Sequence, residues 1–160
     1  MAPLPDPMAL ADSGRNSSLG LRTYIVEDNV TIRENLIGTL EELARIETVG
    51  IAETENEGRH WLEHHPQAWD LAIVDLFLKQ GSGLGILAAC KQRMPHQKVA
   101  VLSNYATPDI RTRCAQLGVD AVFDKSNEID ALVDYCIRHS TLAVIEQTRK
   151  DDGSDPDEDT

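Results

Sequence analysis

The sequence is poor in aromatic residues and in cysteine. Its 160 residues include 2 Trp, 3 Tyr and 2 Phe, so a hydrophobic core has to be built mainly from Ile, Leu, Val and Ala. The three cysteines, Cys90, Cys114 and Cys136, form no C-x-x-C pair and no Cys/His pattern with metal-ligand spacing. Neither a disulfide framework nor a zinc site is therefore indicated. The thiols are expected to be buried in a protein of a reducing compartment.

Positive charge and long apolar runs are also scarce. The sequence has 15 Lys and Arg residues against 27 Asp and Glu residues, and its formal net charge of −12 disfavours binding to nucleic acid or to an anionic membrane surface. No run approaches the roughly 20 apolar residues of a membrane span, and the first residues lack the pattern of a signal peptide. We therefore expect a cytoplasmic protein with no nucleic-acid or membrane partner.

The length suits one folded domain between two polar ends. Residues 1–20 are rich in Pro, Gly and Ser and have no sustained apolar period, which predicts a disordered N-terminal segment. The last ten residues carry six carboxylates and no base, which predicts an acidic disordered tail over residues 149–160. The folded domain is therefore expected to cover residues 21–148.

Within this domain, short apolar runs alternate with longer amphipathic stretches, as in βαβ units around a parallel sheet. Helix-start patterns occur at Thr31 with Glu34, at Thr54 with Glu57 and at Thr107-Pro108. The predicted strands are 21–26, 48–52, 69–74, 98–102 and 119–123, and further helices are predicted at 84–93 and 127–148. With right-handed crossovers, five strands and five helices predict an α/β fold. We expect a three-layer αβα sandwich with a five-stranded parallel sheet in the flavodoxin-like order 2-1-3-4-5.

The predicted strand ends carry the residues best suited to chemistry. Glu27 and Asp28 follow the first strand, Asp75 follows the third, Ser103 ends the fourth and Lys125 follows the fifth. Ligands of an open parallel sheet bind at its carboxyl edge, so these residues are expected to converge. Three clustered carboxylates repel one another unless a divalent metal binds them or their pKa values rise. Oxygen ligands with room for water suit Mg²⁺.

These residues and their neighbours resemble a known family. The segments IVEDN, IVDLFLKQGSGLGIL, VLSNYAT and VFDKS, with successive intervals of 47, 28 and 22 residues from Asp28 through Asp75 and Ser103 to Lys125, resemble the response-regulator receiver domain of two-component phosphorelays. The resemblance covers about residues 21–140. It implies a phosphoacceptor signalling switch. It does not imply an enzyme, because a receiver catalyses only its own phosphorylation and dephosphorylation.

The resemblance also implies a role for each site residue. Asp75 would accept the phosphoryl group from a phosphohistidine of a sensor histidine kinase or a His-phosphotransfer protein. Lys125 would neutralise charge on the transferring group, and Ser103 would hydrogen-bond a phosphoryl oxygen. The Mg²⁺ ligands would be Glu27, Asp28, Asp75 and the backbone carbonyl of Phe77.

The protein is expected to pass on its signal by binding another protein. After Lys125 the sequence has one predicted helix and the acidic tail, with no room for a helix-turn-helix output domain. We therefore expect a stand-alone receiver whose phosphorylation changes the face formed by the fourth helix, the fifth strand and the fifth helix. An unidentified downstream protein, or a second copy of the chain in a homodimer, would bind that face.

Three residues near the site bear on how such a switch works. Val122 stands three residues before Lys125, where the family usually has an aromatic ring that turns inward on activation. That rotamer change cannot operate with valine, and Tyr105 is the nearest aromatic that would respond instead. Phe77 and Tyr105 flank the path of a hydrolytic water, and neither offers a carboxylate or amide to orient it. Slow autodephosphorylation is therefore expected.

Other classes of function fit less well, and one stays open. An aspartyl-phosphate hydrolase needs a second Asp two residues after Asp75, where Phe77 stands. A flavodoxin-type electron carrier needs a Ser/Thr/Gly-rich phosphate loop, and Glu27-Asp28-Asn29 repels phosphate. The alternative that stays open is a receiver fold kept as an interaction module that is never phosphorylated.

Overall fold

A computed structural model of the chain describes residues 20–151, where five strands alternate with five helices. The predicted N-terminal segment, apart from Gly20, and the tail from residue 152 onward lie outside the described residues. The elements are β1 (Leu21–Val26), α1 (Val30–Ala44), β2 (Ile46–Ala52), α2 (Glu55–His64), β3 (Leu71–Val74), α3 (Gly83–Ala89), β4 (Lys98–Ser103), α4 (Pro108–Gln116), β5 (Ala121–Asp124) and α5 (Ile129–Asp151).

The five strands form one parallel sheet in the order β2-β1-β3-β4-β5, which confirms the predicted topology. Helices α1 and α5 pack on one face through residues such as Leu40 and Leu132. Helices α2, α3 and α4 cover the other face through residues such as Leu62, Ile86 and Cys114. Because both faces are covered, β3 is buried at every position, as its unbroken apolar sequence predicts.

The core is mainly aliphatic, and the three thiols lie within it. Cys90, Cys114 and Cys136 are buried and unpaired, as the sequence predicts. Burial disfavours the thiolate, so it raises the pKa of Cys90 to about 11 and that of Cys136 to about 12. These thiols are packing residues without nucleophilic character at neutral pH.

Helix caps agree with the sequence at two positions and differ at a third. The hydroxyls of Thr54 and Thr107 cap α2 and α4 as predicted. Helix α1 is capped by Asn29 and not by Thr31, because the Asn29 side chain accepts the Ile32 N–H at 2.9 Å. The helix therefore begins directly after the acidic pair, which places that pair in the turn between β1 and α1.

Two predicted helix ends also differ from the structure. Helix α3 ends at Ala89, short of the predicted 93, because the N–H of Cys90 turns back to the carbonyls of Leu87 and Ala88. Helix α5 continues to Asp151, so residues 149–151, which were assigned to the tail, are helical. The sequence has no Gly or Pro between Ile129 and Gly153, and therefore nothing breaks the helix earlier. Among residues 20–151, no helix is long and apolar enough to cross a membrane.

Candidate functional site

The five residues predicted to converge do so at the carboxyl edge of the sheet. Backbone hydrogen bonds between neighbouring strands fix their positions. The N–H of Asp75 donates to the carbonyl of Val26 at 3.1 Å, and the N–H of Lys125 donates to the carbonyl of Ser103 at 2.9 Å. The ends of β1, β3, β4 and β5 are thereby aligned. Glu27, Asp28, Asp75 and Lys125 form a pocket of adjoining charged side chains at this edge, where Ser103 ends β4.

Lys125 joins two buried carboxylates. Its Nζ lies 2.7 Å from Glu27 Oε1 and 2.9 Å from Asp75 Oδ2, and the three side chains are 9%, 3% and 6% exposed for Lys125, Glu27 and Asp75. Burial by itself lowers the pKa of Lys125, but the hydrogen bonds with Glu27 and Asp75 and their charges raise it above its ordinary value. The ammonium is therefore held in its charged form beside the predicted acceptor.

Glu27 is the carboxylate with the clearest electrostatic conflict. Burial raises its pKa, and the charge of Asp75 adds to that rise, while the hydrogen bonds from Lys125 and from the backbone N–H of Asn29 offset part of it. The result is a pKa above the ordinary value for glutamate. One ammonium thus serves two buried carboxylates, and the pocket has unbalanced negative charge that a divalent cation would neutralise.

The carboxylates have the arrangement that a hard cation requires. One oxygen from each of Glu27, Asp28 and Asp75 lies within 4.8 Å of the other two. Asp28 is half-buried, and its Oδ2 accepts the N–H of Lys79 at 2.6 Å. The N–H of Phe77 donates to Asp75 Oδ1 at 3.1 Å, so the loop after β3 folds back over the acceptor. An all-oxygen ligand set of this kind fits Mg²⁺.

Ser103 is buried at the end of β4 and poised to donate a hydrogen bond. Its Oγ accepts the N–H of Tyr105 at 3.0 Å. Because that bond uses a lone pair, the hydroxyl proton remains available for an oxygen placed in the pocket. The β4–α4 loop is consequently tied to the Ser103 hydroxyl at the carboxyl edge of the sheet.

Two aromatic side chains flank the pocket and contact each other. The ring centroids of Phe77 and Tyr105 are 5.2 Å apart at an interplanar angle of 79°, an edge-to-face pair. The residues remain 52% and 60% exposed, respectively. The sequence placed each ring beside the site, but it did not reveal that they touch.

Arg33 supports the site and was missed by the sequence reasoning. Its guanidinium is buried, donates to the backbone carbonyl of Glu27 at 3.0 Å and pairs with Glu53 at 2.8 Å. It therefore ties α1 to the turn that carries Glu27. The signal was present in the sequence, because Arg33 falls on the same helical stripe as the buried Leu36 and Leu40.

Arg111 of α4 was also missed, and it connects the two loops beside the site. It donates through Nε to the carbonyl of Ala106 at 3.1 Å, through Nη1 to the carbonyl of Val122 at 3.1 Å and through Nη2 to Glu128 at 2.9 Å. The same Glu128 oxygen accepts the N–H of Asp124 at 2.8 Å. The hydrogen bond from Arg111 lowers the pKa of Glu128. No sequence pattern marks Arg111, because two of its partners are backbone carbonyls.

A doubly covered parallel sheet with three carboxylates, a hydroxyl and a buried ammonium at one edge defines a class of phosphoacceptor signalling domains. The chain belongs to the family described as "Response regulator receiver domain", which it matches over residues 23–136. The expected family is thereby confirmed. Family and fold together support a phosphoacceptor signalling role.

Similarity to individual proteins agrees with that membership. The chain is 32% identical over 97 residues to the response regulator protein PilR of Pseudomonas aeruginosa. The aligned region covers 61% of this chain and 21% of PilR. It is 29% identical over 121 residues to the photosynthetic apparatus regulatory protein RegA of Rhodobacter capsulatus. That aligned region covers 76% of this chain and 60% of RegA. The chain thus spans less than two thirds of either curated relative.

The fold also matches solved receiver domains. A CheY-like response regulator receiver domain protein from Methanospirillum hungatei JF-1 superposes with a TM-score of 0.64 at 25% sequence identity. The match covers 79% of this chain and 98% of that one.

Proposed function

We propose that the protein is a phosphoacceptor switch that is phosphorylated on Asp75. The observation that carries the proposal is the contact of Lys125 Nζ with Asp75 inside a pocket of three carboxylates. A carboxylate held against an ammonium, at the edge where ligands bind, is arranged to attack a phosphoryl group whose charge the ammonium can share. The donor would be a phosphohistidine of a sensor histidine kinase or a phosphotransfer protein.

The chemical step is a transfer between two nucleophiles. A carboxylate oxygen of Asp75 attacks phosphorus, the bond from phosphorus to the imidazole nitrogen breaks, and the imidazole leaves with the electron pair. The product is an acyl phosphate on Asp75. Mg²⁺, held by Glu27, Asp28, Asp75 and the Phe77 carbonyl, would supply charge neutralisation for the phosphoryl oxygens. The protein would catalyse only this transfer and the later hydrolysis of the acyl phosphate, in which water takes the phosphoryl group as inorganic phosphate and Asp75 returns to its carboxylate.

The conformational change would arise from the side chains that hydrogen-bond the phosphoryl group. Ser103 and Lys125 stand at the starts of the β4–α4 and β5–α5 loops, so hydrogen bonds to phosphoryl oxygens would favour one arrangement of both loops. Each charge-assisted bond contributes about 1.5–3 kcal/mol, enough for a population shift of tenfold or more. Arg111 couples these loops on the α4-β5-α5 face. That face is therefore where a phosphorylation-dependent partner would bind.

The partners follow from charge and context. The downstream partner is inferred to be a protein, or a second copy of this chain, because a net charge of −12 disfavours binding to nucleic acid. The cytoplasm is the expected compartment, since the three cysteines are free thiols. No membrane partner is expected.

The proposal is tested by labelling the protein with acetyl phosphate and MgCl₂ and measuring its intact mass. The wild-type protein is expected to gain one phosphoryl group, and Asp75→Asn is expected to gain none. Asp130→Asn removes an exposed carboxylate from the first turn of α5 and should label like the wild type. Labelling of Asp75→Asn at the wild-type rate would refute Asp75 as the acceptor. A wild-type protein that takes no label would favour the alternative, an unphosphorylated interaction module.

A further inference from the structure

The loop between β3 and α3 is held by one glutamate of a neighbouring helix. Glu55, the first residue of α2, donates its backbone N–H to the carbonyl of Gln80 at 3.1 Å. Its carboxylate oxygen Oε1 accepts the backbone N–H of Ser82 at 2.9 Å. One residue thus binds the loop at two points on either side of Gly81.

The loop and the start of α3 are shaped to fit this glutamate. A Cβ at Gly85 would overlap the Glu55 carboxylate, and a Cβ at Gly81 would overlap the Glu55 side chain. Gly81 also has a φ of +87°, a conformation that favours glycine. The Glu55 side chain is only 25% exposed, and Arg59 lies 3.4 Å from the second carboxylate oxygen. The Glu55 side chain therefore lies in a cradle formed by Gly81 and Gly85 and is mostly shielded from solvent.

The segment that Glu55 contacts, residues 80–82, connects directly to the phosphoacceptor site. Ser82 pairs with Phe77 in an isolated antiparallel bridge, and the N–H of Gly83 donates to the carbonyl of Leu76 at 2.9 Å. A Cβ at Gly83 would overlap the backbone carbonyl of Asp75, so this part of the loop lies against the acceptor residue itself. Between the two paired segments, the N–H of Lys79 reaches Asp28. Displacing Ser82 would consequently move Phe77 and loosen the contact with Asp28.

We propose that Glu55 is a positioning residue for the phosphoacceptor loop. It fixes Ser82, and through the bridge it fixes the Phe77 backbone, so that the Phe77 carbonyl and the Asp28 carboxylate are placed for a divalent cation. It acts without contacting the cation. The inference rests on the proposed function, since it assigns Glu55 to the Mg²⁺ site of that switch.

The first test compares variants of two glutamates on the first turn of α2. Glu55→Ala removes the carboxylate that accepts the Ser82 N–H. Glu57→Ala is the matched control, because the Glu57 carboxylate accepts the N–H of Glu53 at 2.9 Å and does not hold the loop. Glu55→Gln keeps an acceptor oxygen and should retain most of the function. The readouts are the Kd for Mg²⁺, measured by calorimetry with MgCl₂, and amide hydrogen exchange of residues 76–83 in metal-free protein.

The loss of a hydrogen bond to a charged group predicts the size of the effect. Glu55→Ala is expected to speed exchange of the loop amides by about tenfold and to weaken Mg²⁺ binding by about three- to tenfold. Glu57→Ala should change neither by more than about twofold. Equal behaviour of the two alanine variants in either measurement would overturn the inference.

A second variant keeps Glu55 and fills the space at Gly85 that its carboxylate occupies. Gly85→Ala adds a methyl group where the carboxylate lies, while alanine favours the helix in which Gly85 stands. Gly85→Ala alone is expected to speed loop exchange as Glu55→Ala does, and the double variant should exchange no faster than Glu55→Ala. Additive effects would contradict the proposed fit.

The two proposals fail in different ways. If wild-type Asp75 takes no label from acetyl phosphate, the proposed function is wrong, and with it the role given to Glu55 in the switch. If Asp75 is labelled but Glu55→Ala binds Mg²⁺ like Glu57→Ala, only the role of Glu55 is wrong.

Discussion

Phe77 and Tyr105 are the aromatic residues beside the predicted acceptor, and we expect them to influence how water approaches it. Their rings contact each other beside the pocket, and neither side chain can accept a hydrogen bond from water in the manner of a carboxylate. Hydrolysis of an acyl phosphate is fastest where a side chain orients the attacking water. The edge-to-face pair therefore supports the prediction of slow autodephosphorylation made from the sequence.

Tyr105→Glu is expected to shorten the phosphoaspartate lifetime by at least about tenfold, because it places a carboxylate where water approaches. The decay is measured by intact mass after removal of acetyl phosphate. Tyr105→Leu serves as the control, since it removes the ring contact without adding an acceptor. A wild-type half-life of seconds would contradict the prediction.

The residues that could be predicted from the sequence are those at strand ends. Asp75 and Lys125 are each placed by a strand whose apolar run is visible in the sequence, so their meeting follows from the topology. Glu55 and Arg111 could not be placed in this way. Each acts by contacting backbone groups that are near only after the sheet has formed, and backbone groups leave no pattern in a sequence.

At the scale of elements, one side chain of α4 contacts three neighbouring segments. Arg111 contacts the β4–α4 loop at Ala106, β5 at Val122 and the start of α5 at Glu128. The position of Val122 is the one where the family usually has an aromatic ring. We propose that the Arg111 hydrogen bonds provide the coupling that such a ring would provide by rotation.

Arg111→Ala is expected to uncouple the two loops. In wild-type protein treated with beryllofluoride and MgCl₂, amide exchange should slow both at residues 104–107 and at residues 125–128. In Arg111→Ala the slowing of exchange should be confined to one loop, or be smaller by about threefold or more, because the hydrogen bonds that join the two loops have been lost. Arg113→Ala, an exposed arginine on the same helix, is the control. An unchanged exchange pattern in Arg111→Ala would argue against the coupling.

Element types could be predicted better than element ends. Alternating apolar runs placed all five strands, but the cap of α1 at Asn29 and the end of α3 at Ala89 depend on where the chain leaves the sheet. The extension of α5 to Asp151 depends on the absence of a helix breaker, which outweighs the acidic composition that suggested a tail.

At the scale of the whole molecule, we expect stability to depend on pH through His139, a half-buried residue of α5. Burial lowers the pKa of His139, and the charges of Lys98 and Arg138 lower it further, while Asp120 opposes them. The unfolded chain therefore binds a proton more readily than the folded protein. The free energy of unfolding should fall as the pH drops below 6.5, the ordinary value for histidine.

His139→Gln is expected to remove this contribution. Urea denaturation at pH 7.5 and 5.5 should show a smaller loss of stability in the variant than in the wild type. His60→Gln, which changes an exposed histidine of α2, should follow the wild type. Equal slopes in His139→Gln and wild type would show that His139 does not contribute.

The length of α5 has a mechanical consequence. Ser140 lies midway along the helix (Ile129–Asp151) and donates its hydroxyl proton to the carbonyl of Ala44 at 2.6 Å, which anchors the helix to the end of α1. Each half of the helix is about 16 Å long at the usual rise per residue. If the helix tilted as a rigid rod about Ser140, its start near Lys125 and its end at Asp151 would move in opposite directions.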